Sequence, residues 1–349
     1  MNDITAWPGG STPGPASVLE PALVVRGLEL RRTARPGDAE TGNSQRSGTG
    51  EATAPPAPPL VGPVDLAVER GQVVCLVGPS GCGKSLTCMS LLGMLPQGIT
   101  RTAGTILVHG QAVDGQAVDG QAMHGQAVDG QAAYGAPPER LRLLRGRAAA
   151  YVLQNPASCF DPVFTIGAHF QETLAAHLPT APGSSTRPDW RAAALAALRE
   201  VGFDDARAIL SHYPFQMSGG MLQRVMIALA LVLDVPLLIA DEPTTDLDLP
   251  SQARVLDLLD QVRRSRNMAI LLVTHDLSVA ARMADRMAVM RHGRVVEQGD
   301  VRELFAAPRH PYTRALLSAH HRLYGLCPPH GACAASLHPA TTPAAAGRP

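Results

Sequence analysis

The fold of this chain is decided by one glycine-rich stretch, Gly78-Pro79-Ser80-Gly81-Cys82-Gly83-Lys84-Ser85. The stretch has the spacing G-x-x-x-x-G-K-[ST] of a phosphate-binding loop. The apolar run from Val73 to Val77 predicts a buried parallel strand before it, and residues 86–95 predict a helix that ends before Pro96. Strand, glycine-rich loop and helix are the context in which this motif binds nucleotide phosphates.

The residue types of this loop suit that chemistry. Glycines let the backbone turn so that successive N–H groups point at phosphate oxygens, and the start of the helix adds a partial positive charge. We expect Lys84 to neutralise β- and γ-phosphate charge and Ser85 to hold Mg²⁺ through its hydroxyl. The alternative is an ordinary glycine-rich turn, which would not require the strand and helix on either side.

The composition of the chain excludes several classes of protein. Its 349 residues allow one large domain or two modest ones. Lys+Arg and Asp+Glu both number 30 and aromatic residues make up 4%, so neither charge nor stacking platforms indicate a nucleic-acid partner. Six scattered cysteines and the lack of a signal segment predict a reducing compartment. No apolar run has the length of a membrane span, so we expect any membrane role to be peripheral.

Composition also predicts flexible additions around a folded region at 21–318. Residues 1–20 form an expected disordered tail, and residues 33–59 an expected flexible insertion, because both are rich in Gly, Pro, Thr and Ala. Residues 110–135 repeat Gly-Gln-Ala-Val-Asp, and residues 319–349 form a C-terminal tail. The carboxylates of the repeat could bind a cation, but an expanded surface loop is the simpler interpretation.

Several strands are predicted outside the phosphate loop. Alternating apolar residues predict strands at 23–30, 64–68 and 104–110. Three buried strands end in polar residues: 148–153 before Gln154, 237–240 before Asp241 and Glu242, and 269–274 before His275. Ligands of parallel sheets collect at the carboxyl ends of the strands, so these side chains should meet at the phosphate loop. Solvated acids at a strand end, and a packing or surface role for the histidine, are the alternatives.

A second anion-binding element is predicted at Ser218-Gly219-Gly220, before a helix predicted at 225–233. Serine is a good N-cap, and the glycines leave free N–H groups at the start of the helix. On its own, such a cap is most often structural. Residues 163–178 and 189–201 also predict helices, and Asp248 precedes another.

Taken in order along the chain, these motifs resemble those of the ATP-binding subunits of ABC transporters, over about residues 22–318. The resemblance implies an α/β fold with a RecA-like P-loop NTPase core, a small antiparallel β-subdomain and an inserted α-helical subdomain at about 155–230. It also implies ATP hydrolysis by two subunits that pair head to tail, so that each completes the nucleotide site of the other.

The resemblance implies a role for each matched residue. The ATP phosphates are held by Gly78, Pro79, Ser80, Gly81, Cys82, Gly83, Lys84 and Ser85. Mg²⁺ is held by Ser85, Gln154 and Asp241, and Gln154 also senses the membrane partner. Glu242 is the general base and His275 contacts the γ-phosphate. The residues that act across the subunit interface are Ser218, Gly219, Gly220 and Asp248.

Further stretches resemble the nickel and peptide importer branch of this family. They are Tyr213-Pro214-Phe215-Gln216-Met217 and Pro311-Tyr312-Thr313-Arg314-Ala315-Leu316-Leu317. Residues 241–248 and 319–325 resemble the nickel-importing members, and di- or oligopeptide import is the alternative. The implied partners are two transmembrane permease subunits, a second ATPase subunit that is a copy or a paralogue, and an extracytoplasmic substrate-binding protein. The implied location is the cytoplasmic face of the cell membrane.

Two departures from the family pattern matter. No aromatic residue follows Arg31 and Arg32, where the family often stacks adenine, so the adenine contact stays unassigned. The tail holds only Cys327 and Cys333, too few thiolates for the iron–sulfur centre of peptide-importing relatives. The second departure favours nickel over peptide.

Other classes of function explain the motifs less well. A non-transport ABC ATPase would share every catalytic motif, but such proteins usually carry two cassettes or long coiled coils. A P-loop kinase would not need the Ser-Gly-Gly element or His275, and a non-catalytic binding module would be expected to lack Glu242.

Overall fold

The computed structural model describes residues 21–33, 58–113, 141, 144–177 and 189–323. Four of the predicted flexible regions lie partly or wholly outside these ranges: the N-terminal tail, residues 34–57 of the insertion, the repeat from residue 114 onward, and the tail from residue 324 with its two cysteines. Their predicted properties stay predictions.

The described strands fall into two sheets. They are β1 (Leu23–Arg32), β2 (Val61–Val68), β3 (Val73–Val77), β4 (Ile99–Val108), β5 (Gln111–Ala112), β6 (Ala149–Val152), β7 (Leu237–Asp241), β8 (Ala269–Thr274), β9 (Arg286–Arg291) and β10 (Arg294–Asp300). An antiparallel sheet has the order β2-β1-β4-β5, and a larger sheet has the order β10-β9-β3-β8-β7-β6. In the larger sheet all neighbours are parallel except β9 and β10.

Helices lie between and beyond these strands. They are α1 (Lys84–Leu91), α2 (Ile166–His177), α3 (Trp190–Glu200), α4 (Ala206–Ser211), α5 (Gly219–Leu231), α6 (Leu249–Arg266), α7 (Leu277–Met283), α8 (Val301–Ala306) and α9 (Pro311–Leu323). Short 3₁₀ turns span Pro156–Cys159 and Pro214–Gln216. Within the described ranges, no helix is both long enough and apolar enough to cross a membrane.

Strand β3 separates two hydrophobic cores because its side chains alternate between the faces of the larger sheet. Val73, Cys75 and Val77 pack in the core formed with helices α2 to α9. Val74 and Leu76 pack in the core shared with the antiparallel sheet and α1. Both faces of β3 are therefore covered, as expected for a fully apolar strand in a parallel sheet.

The order of the strands brings the predicted site residues to one edge. β3, β8, β7 and β6 are neighbours in that order and run in the same direction, so their carboxyl ends lie side by side. These ends lead into the phosphate loop, His275, Asp241 with Glu242, and Gln154 respectively. The prediction that these residues meet at one sheet edge is confirmed.

The first predicted helix has different bounds in the structure. It begins at Lys84 and ends at Leu91, well before Pro96. Gly93 stops it, because this residue takes a left-handed conformation with φ +62° and its N–H donates to the carbonyl of Ser90 at 3.1 Å. A glycine after the last turn ends the helix, as is common, and the proline is not needed for this.

The predicted start of one strand and the predicted start of one further helix were also wrong. Strand β4 begins at Ile99 rather than at residue 104, because it pairs with β1 along its whole length as far as Arg32. Gly104 lies inside the strand at φ +90°, where the pairing with β1 shifts register. Helix α5 begins at Gly219 rather than at residue 225, because Ser218 caps it directly.

Candidate nucleotide site

The lysine of the phosphate loop is held inside the loop. Lys84 is only 4% exposed, and its Nζ donates to the carbonyls of Gly78 at 2.9 Å and Pro79 at 3.0 Å. Its ammonium also lies 3.7 Å from Oε1 of Glu242. The loop therefore places one buried positive charge next to the acidic strand end of β7.

Two glycines of the loop are required by backbone geometry. Gly83 has φ +106°, and a Cβ there would lie 2.7 Å from Cγ2 of Val61. A Cβ on Gly78 would collide with the carbonyl oxygen of Met290 on β9. The loop can wind tightly above the sheet only because neither residue carries a side chain.

Glu242 is the most connected residue of the site. It is 7% exposed, follows the last residue of β7, and has a left-handed backbone with φ +47°. Its Oε2 accepts hydrogen bonds from Nε2 of Gln154 and Oγ1 of Thr245, both at 3.0 Å. Nδ1 of His275 lies 3.2 Å from the same oxygen. One carboxylate is thereby held by side chains from three segments of chain.

Asp241 lies beside Glu242 but faces different partners. It is 3% exposed, and its Oδ2 accepts a hydrogen bond from the hydroxyl of Tyr151 at 2.8 Å. Burial raises the pKa of Asp241 above its ordinary value. Hydrogen bonds from the hydroxyls of Tyr151 and Ser85 oppose that rise in pKa, and the nearby charge of Glu242 adds to it. Burial likewise raises the pKa of Tyr151, which keeps its hydroxyl a donor.

The residues around Asp241 fit a divalent cation. Oδ1 of Asp241 is buried and has no hydrogen-bond partner among the described residues. A buried carboxylate oxygen without a partner is costly, and a cation or its bound water would satisfy it. The hydroxyl of Ser85 acts on the same carboxyl group, since it opposes the rise in the pKa of Asp241. Carboxylate and hydroxyl oxygens are the hard ligands that Mg²⁺ prefers.

The predicted residues separate into two groups in the structure. The loop group, which lies together at the ends of β3, β6, β7 and β8, consists of Lys84, Ser85, Gln154, Asp241, Glu242 and His275. The signature group, which lies at the starts of α5 and α6, consists of Ser218, Gly219, Gly220 and Asp248. In the loop group Lys84, Asp241 and Glu242 are buried, Ser85 is half-buried, and Gln154 and His275 are exposed, whereas the signature group is mostly exposed.

The signature group forms an open helix start. Oγ of Ser218 accepts a hydrogen bond from the N–H of Met221 at 3.3 Å, as predicted for an N-cap. A Cβ on Gly219 would meet nothing within 4 Å, so this residue faces open space. A Cβ on Gly220 would lie 3.3 Å from Oγ of Ser251 on α6, which brings the starts of the two helices together.

The thiol of Cys82 is buried within the phosphate loop. The residue is 6% exposed, and burial raises the pKa of its thiol. The thiolate is the reactive form of cysteine, so Cys82 should react slowly with alkylating reagents while the loop is closed.

Two residues of the site were missed in the sequence. Tyr151 lies within the apolar strand β6, where a tyrosine passes for a core residue, yet its hydroxyl bonds Asp241. Thr245 stands three residues after Glu242 and bonds it. A polar atom in an otherwise apolar strand was the available signal for Tyr151, and the short spacing from Glu242 was the signal for Thr245.

The strand, phosphate loop and helix, with the acidic end of β7 beside them, define a P-loop nucleotide triphosphatase. Comparison with known proteins narrows that class. The "ABC transporter" family model matches residues 61–245, and the "Oligopeptide/dipeptide transporter, C-terminal region" model matches residues 296–327.

Individual proteins that are similar to this chain match it over more of its length than the family model does. Nickel import ATP-binding protein NikD of Rhodospirillum rubrum is 48% identical over 269 residues, which cover 76% of this chain and 90% of that protein. The protein of the same name from Brucella abortus is 44% identical over the same shares of both chains. The chain belongs to the ABC transporter family and is an ATPase of that family, which confirms the predicted resemblance.

Solved structures support the fold. CbiO1 of Clostridium perfringens, part of an ABC transporter complex, matches with a TM-score of 0.60 and 22% identity, over 88% of this chain and 99% of that one. A dimeric ATP-binding cassette in a post-hydrolysis state, bound to ADP and phosphate, matches with a TM-score of 0.57 and 20% identity, over 80% of this chain and 98% of that one. The predicted α/β ABC ATPase fold is confirmed.

Proposed function

We propose that this chain is the ATP-hydrolysing subunit of a membrane ABC importer that takes up nickel ions. The observation that carries the proposal is 48% identity to a nickel import ATP-binding protein across 90% of that protein's length. The loop group supports the catalytic part, because it contains every residue type that phosphoryl transfer to water requires.

In this proposal the loop from Gly78 to Ser85 binds the phosphates of ATP. Backbone N–H groups of residues 81–85 point at phosphate oxygens, and Lys84 supplies positive charge. Nζ of Lys84 exchanges its bonds to the carbonyls of Gly78 and Pro79 for bonds to phosphate. A charge-assisted bond to phosphate is stronger than a bond to a neutral carbonyl, so the exchange favours binding.

Mg²⁺ would be held at Asp241, Ser85 and Gln154, where its charge would neutralise and orient phosphate oxygens. Glu242 acts as the general base, because three side chains hold its carboxylate in place through Oε2, and the carboxylate can take a proton from the attacking water. His275 contacts the γ-phosphate from the half-exposed position it has beside Glu242. Catalysis then rests on positioning and charge rather than on a covalent step.

The signature group completes the site of a second ATPase subunit. Ser218, Gly219 and Gly220 present free N–H groups at the exposed start of α5, which is a suitable surface for the γ-phosphate of the opposite subunit. Asp248 is exposed at the start of α6 and would cross the same interface. The second subunit is a copy of this chain or a paralogue.

An exposed apolar surface next to Gln154 is a suitable place for the permease subunits. Leu153, Val163 and Phe164 are exposed on the segment that leaves β6, by 39%, 70% and 51%. A hydrogen bond of 2.9 Å from the N–H of Ile166 to the carbonyl of His212 joins that segment to the loop before α5. There the side chain of Phe215 is 72% exposed. Exposed large apolar side chains commonly mark protein interfaces when they lie close together.

The proposed assembly contains two permease subunits, two ATPase subunits and an extracytoplasmic substrate-binding protein. This chain would sit on the cytoplasmic face of the cell membrane, bound through its permease partners. No nucleic acid takes part in the proposed function.

Import of di- or oligopeptides is the second candidate. The observation that favours it is the match of residues 296–327 to the C-terminal region of oligopeptide and dipeptide transporters. This segment covers α8 and α9, whereas the nickel import relatives match over 76% of the chain. Nickel is therefore the better-supported cargo.

The test is accumulation of radioactive nickel in cells that lack the gene, complemented with the parent or with Glu242→Gln. We expect the deletion to lower nickel accumulation and only the parent gene to restore it. Growth on peptides as the nitrogen source, measured in the same strains, tests the second candidate. Unchanged nickel accumulation together with lost peptide use would overturn nickel as the cargo and leave the ATPase role standing.

A further inference from the structure

Strand β6 and the residues just after it supply one hydrogen-bond donor to each of the two acids at the end of β7. The hydroxyl of Tyr151 donates to Oδ2 of Asp241 at 2.8 Å, and Nε2 of Gln154 donates to Oε2 of Glu242 at 3.0 Å. Gln154 was already expected at the site from its place after the strand. Tyr151 was not expected at the site. Its hydrogen bond gives Asp241 a fixed partner inside the subunit.

The hydrogen bond from Tyr151 engages only one of the two carboxylate oxygens of Asp241 and leaves the other available. An ionised carboxylate accepts through both oxygens. Oδ2 is taken by Tyr151, whereas Oδ1 is buried without a partner among the described residues. Rotation of the carboxylate would break the bond to the tyrosine, so the hydroxyl fixes which oxygen stays available.

The backbone gives this contact a firm base. β6 and β7 are parallel neighbours, and Tyr151 pairs in register with Ile239, two residues before Asp241. Asp241 itself pairs with Val273 on β8, on the other side of β7. Both partners of the hydrogen bond therefore stand on paired strands, where their separation changes little.

We propose that Tyr151 is a positioning residue for the divalent cation: its hydroxyl holds Oδ2 of Asp241, so that Oδ1 faces the cation or a water bound to it. This inference rests on the proposed function, in which Asp241 serves Mg²⁺. Partners that orient a metal-ligating carboxylate in this way tune metal affinity without touching the metal.

The test compares cation-dependent with cation-independent nucleotide binding in the purified full-length chain carrying Tyr151→Phe. Phenylalanine keeps the ring and removes only the hydroxyl. The probe is Mn²⁺ with ATP, because free Mn²⁺ is counted directly by electron paramagnetic resonance. We expect the affinity for Mn²⁺ in the presence of ATP to fall by roughly tenfold. ATP affinity in EDTA should stay within about twofold of the parent, since Lys84 and the loop remain.

Tyr213→Phe is the matched control, because it removes the same hydroxyl from an exposed tyrosine outside the loop group. It should leave both affinities unchanged. A loss of ATP affinity in EDTA with Tyr151→Phe equal to its loss of Mn²⁺ affinity would mean a general structural role, and would overturn the inference.

A double-mutant cycle with Asp241→Asn separates this inference from the proposed function. If Tyr151 acts through Asp241, Tyr151→Phe should lower Mn²⁺ affinity no further in the Asp241→Asn background. Full additivity of the two changes would overturn the positioning role. Unchanged Mn²⁺ affinity in Asp241→Asn alone would instead overturn Asp241 as the cation ligand, and with it the premise.

Discussion

The loop group and the signature group are both predicted to bind ATP phosphates, the first in its own subunit and the second in the opposite subunit, yet they are built in opposite ways. Lys84, Asp241 and Glu242 are 4%, 3% and 7% exposed, and each has at least one side-chain or carbonyl partner within the subunit. Ser218 and Gly219 are exposed, and the hydroxyl of Ser218 caps the start of its own helix. The loop group finds its partners within a single chain, whereas the signature group faces outward.

This difference shows which step each group can control. A cluster whose charged side chains are already held in place costs little to reorganise when ATP arrives, so it suits the chemistry itself. An exposed helix start gains its partner only when another surface approaches, so it suits the control of when chemistry occurs. Mutations in the first group should therefore change binding or the rate in every assay, whereas mutations in the second should act only when two subunits meet.

Glu242→Gln should have the largest effect of all. The variant keeps the size of the side chain and part of its hydrogen bonding to Gln154 and Thr245, but it cannot accept the proton of the attacking water. We expect kcat for ATP hydrolysis to fall by about 10²- to 10⁴-fold, with ATP affinity retained. Steady-state hydrolysis and equilibrium nucleotide binding check this.

Glu303→Gln, at an exposed position in α8, controls for the loss of one charge and should hydrolyse ATP like the parent. Hydrolysis by Glu242→Gln at the parent rate would show that the base assignment is wrong.

Lys84→Met should act on binding rather than on the proton transfer. Removing a buried cation that contacts phosphate costs about 1.5–3 kcal/mol, so the affinity for ATP should fall by about 10- to 100-fold. Arg145→Met is a matched control, because Arg145 also donates to backbone carbonyls, those of Leu92 and Gly93 at 2.9 and 2.8 Å. Equal losses of ATP affinity in both variants, measured by titration calorimetry, would contradict a specific role for Lys84.

Gly219→Asp should separate the two groups most clearly, because it has opposite effects on the subunit and on the pair. A Cβ at Gly219 meets nothing within 4 Å, and an acid in the first turn of α5 stabilises the helix by about 0.3–1 kcal/mol. The same carboxylate would repel the phosphates of the opposite subunit, so hydrolysis should fall by about tenfold or more. Thermal unfolding and hydrolysis are measured on the same preparations.

Gly219→Asn has nearly the same shape without the charge and should lose less hydrolysis. ATP affinity of the separated subunit should stay at the parent value in both variants. A fall in that affinity would mean that Gly219 belongs to the site of its own subunit, against the division into two groups.

The sequence was sufficient to predict the loop group, because the signal for each of its residues lies within a short stretch of the chain. Each strand is a short apolar run, each polar residue follows directly, and parallel pairing brings the strand ends together. The same holds for the cap at Ser218. Boundaries were less predictable: the end of α1 depends on the left-handed turn at Gly93, and the start of β4 on pairing with β1.

Tyr151 shows why the rest could not be predicted. Its partner Asp241 lies 90 positions along the chain, and its side chain was expected to be one more core residue of an apolar strand. Only the register of β6 against β7 puts the hydroxyl beside the carboxylate. Contacts that depend on long-range register leave no signal in local composition or spacing.

The smallest expected effect concerns the stability of the loop group itself. Burial raises the pKa of Asp241, so the folded protein holds this proton more tightly than the unfolded chain does. The contribution of Asp241 to stability is therefore present below its unfolded pKa and is lost as the pH rises through its folded pKa. Asp241→Asn lacks this pH-dependent loss. Its free energy of unfolding relative to the parent should rise with pH across that window, by about 1 kcal/mol.

The measurement is urea unfolding of parent and variant at several pH values between the acid range and neutrality, without nucleotide or divalent cation. Asp257→Asn is the control, because Asp257 is an exposed carboxylate that pairs with Arg282 at the surface, where such pairs contribute little. A relative stability of Asp241→Asn that falls as the pH rises would contradict the burial argument. The expected result would mean that the loop group retains a destabilising buried charge, which a cation bound at Oδ1 would offset further.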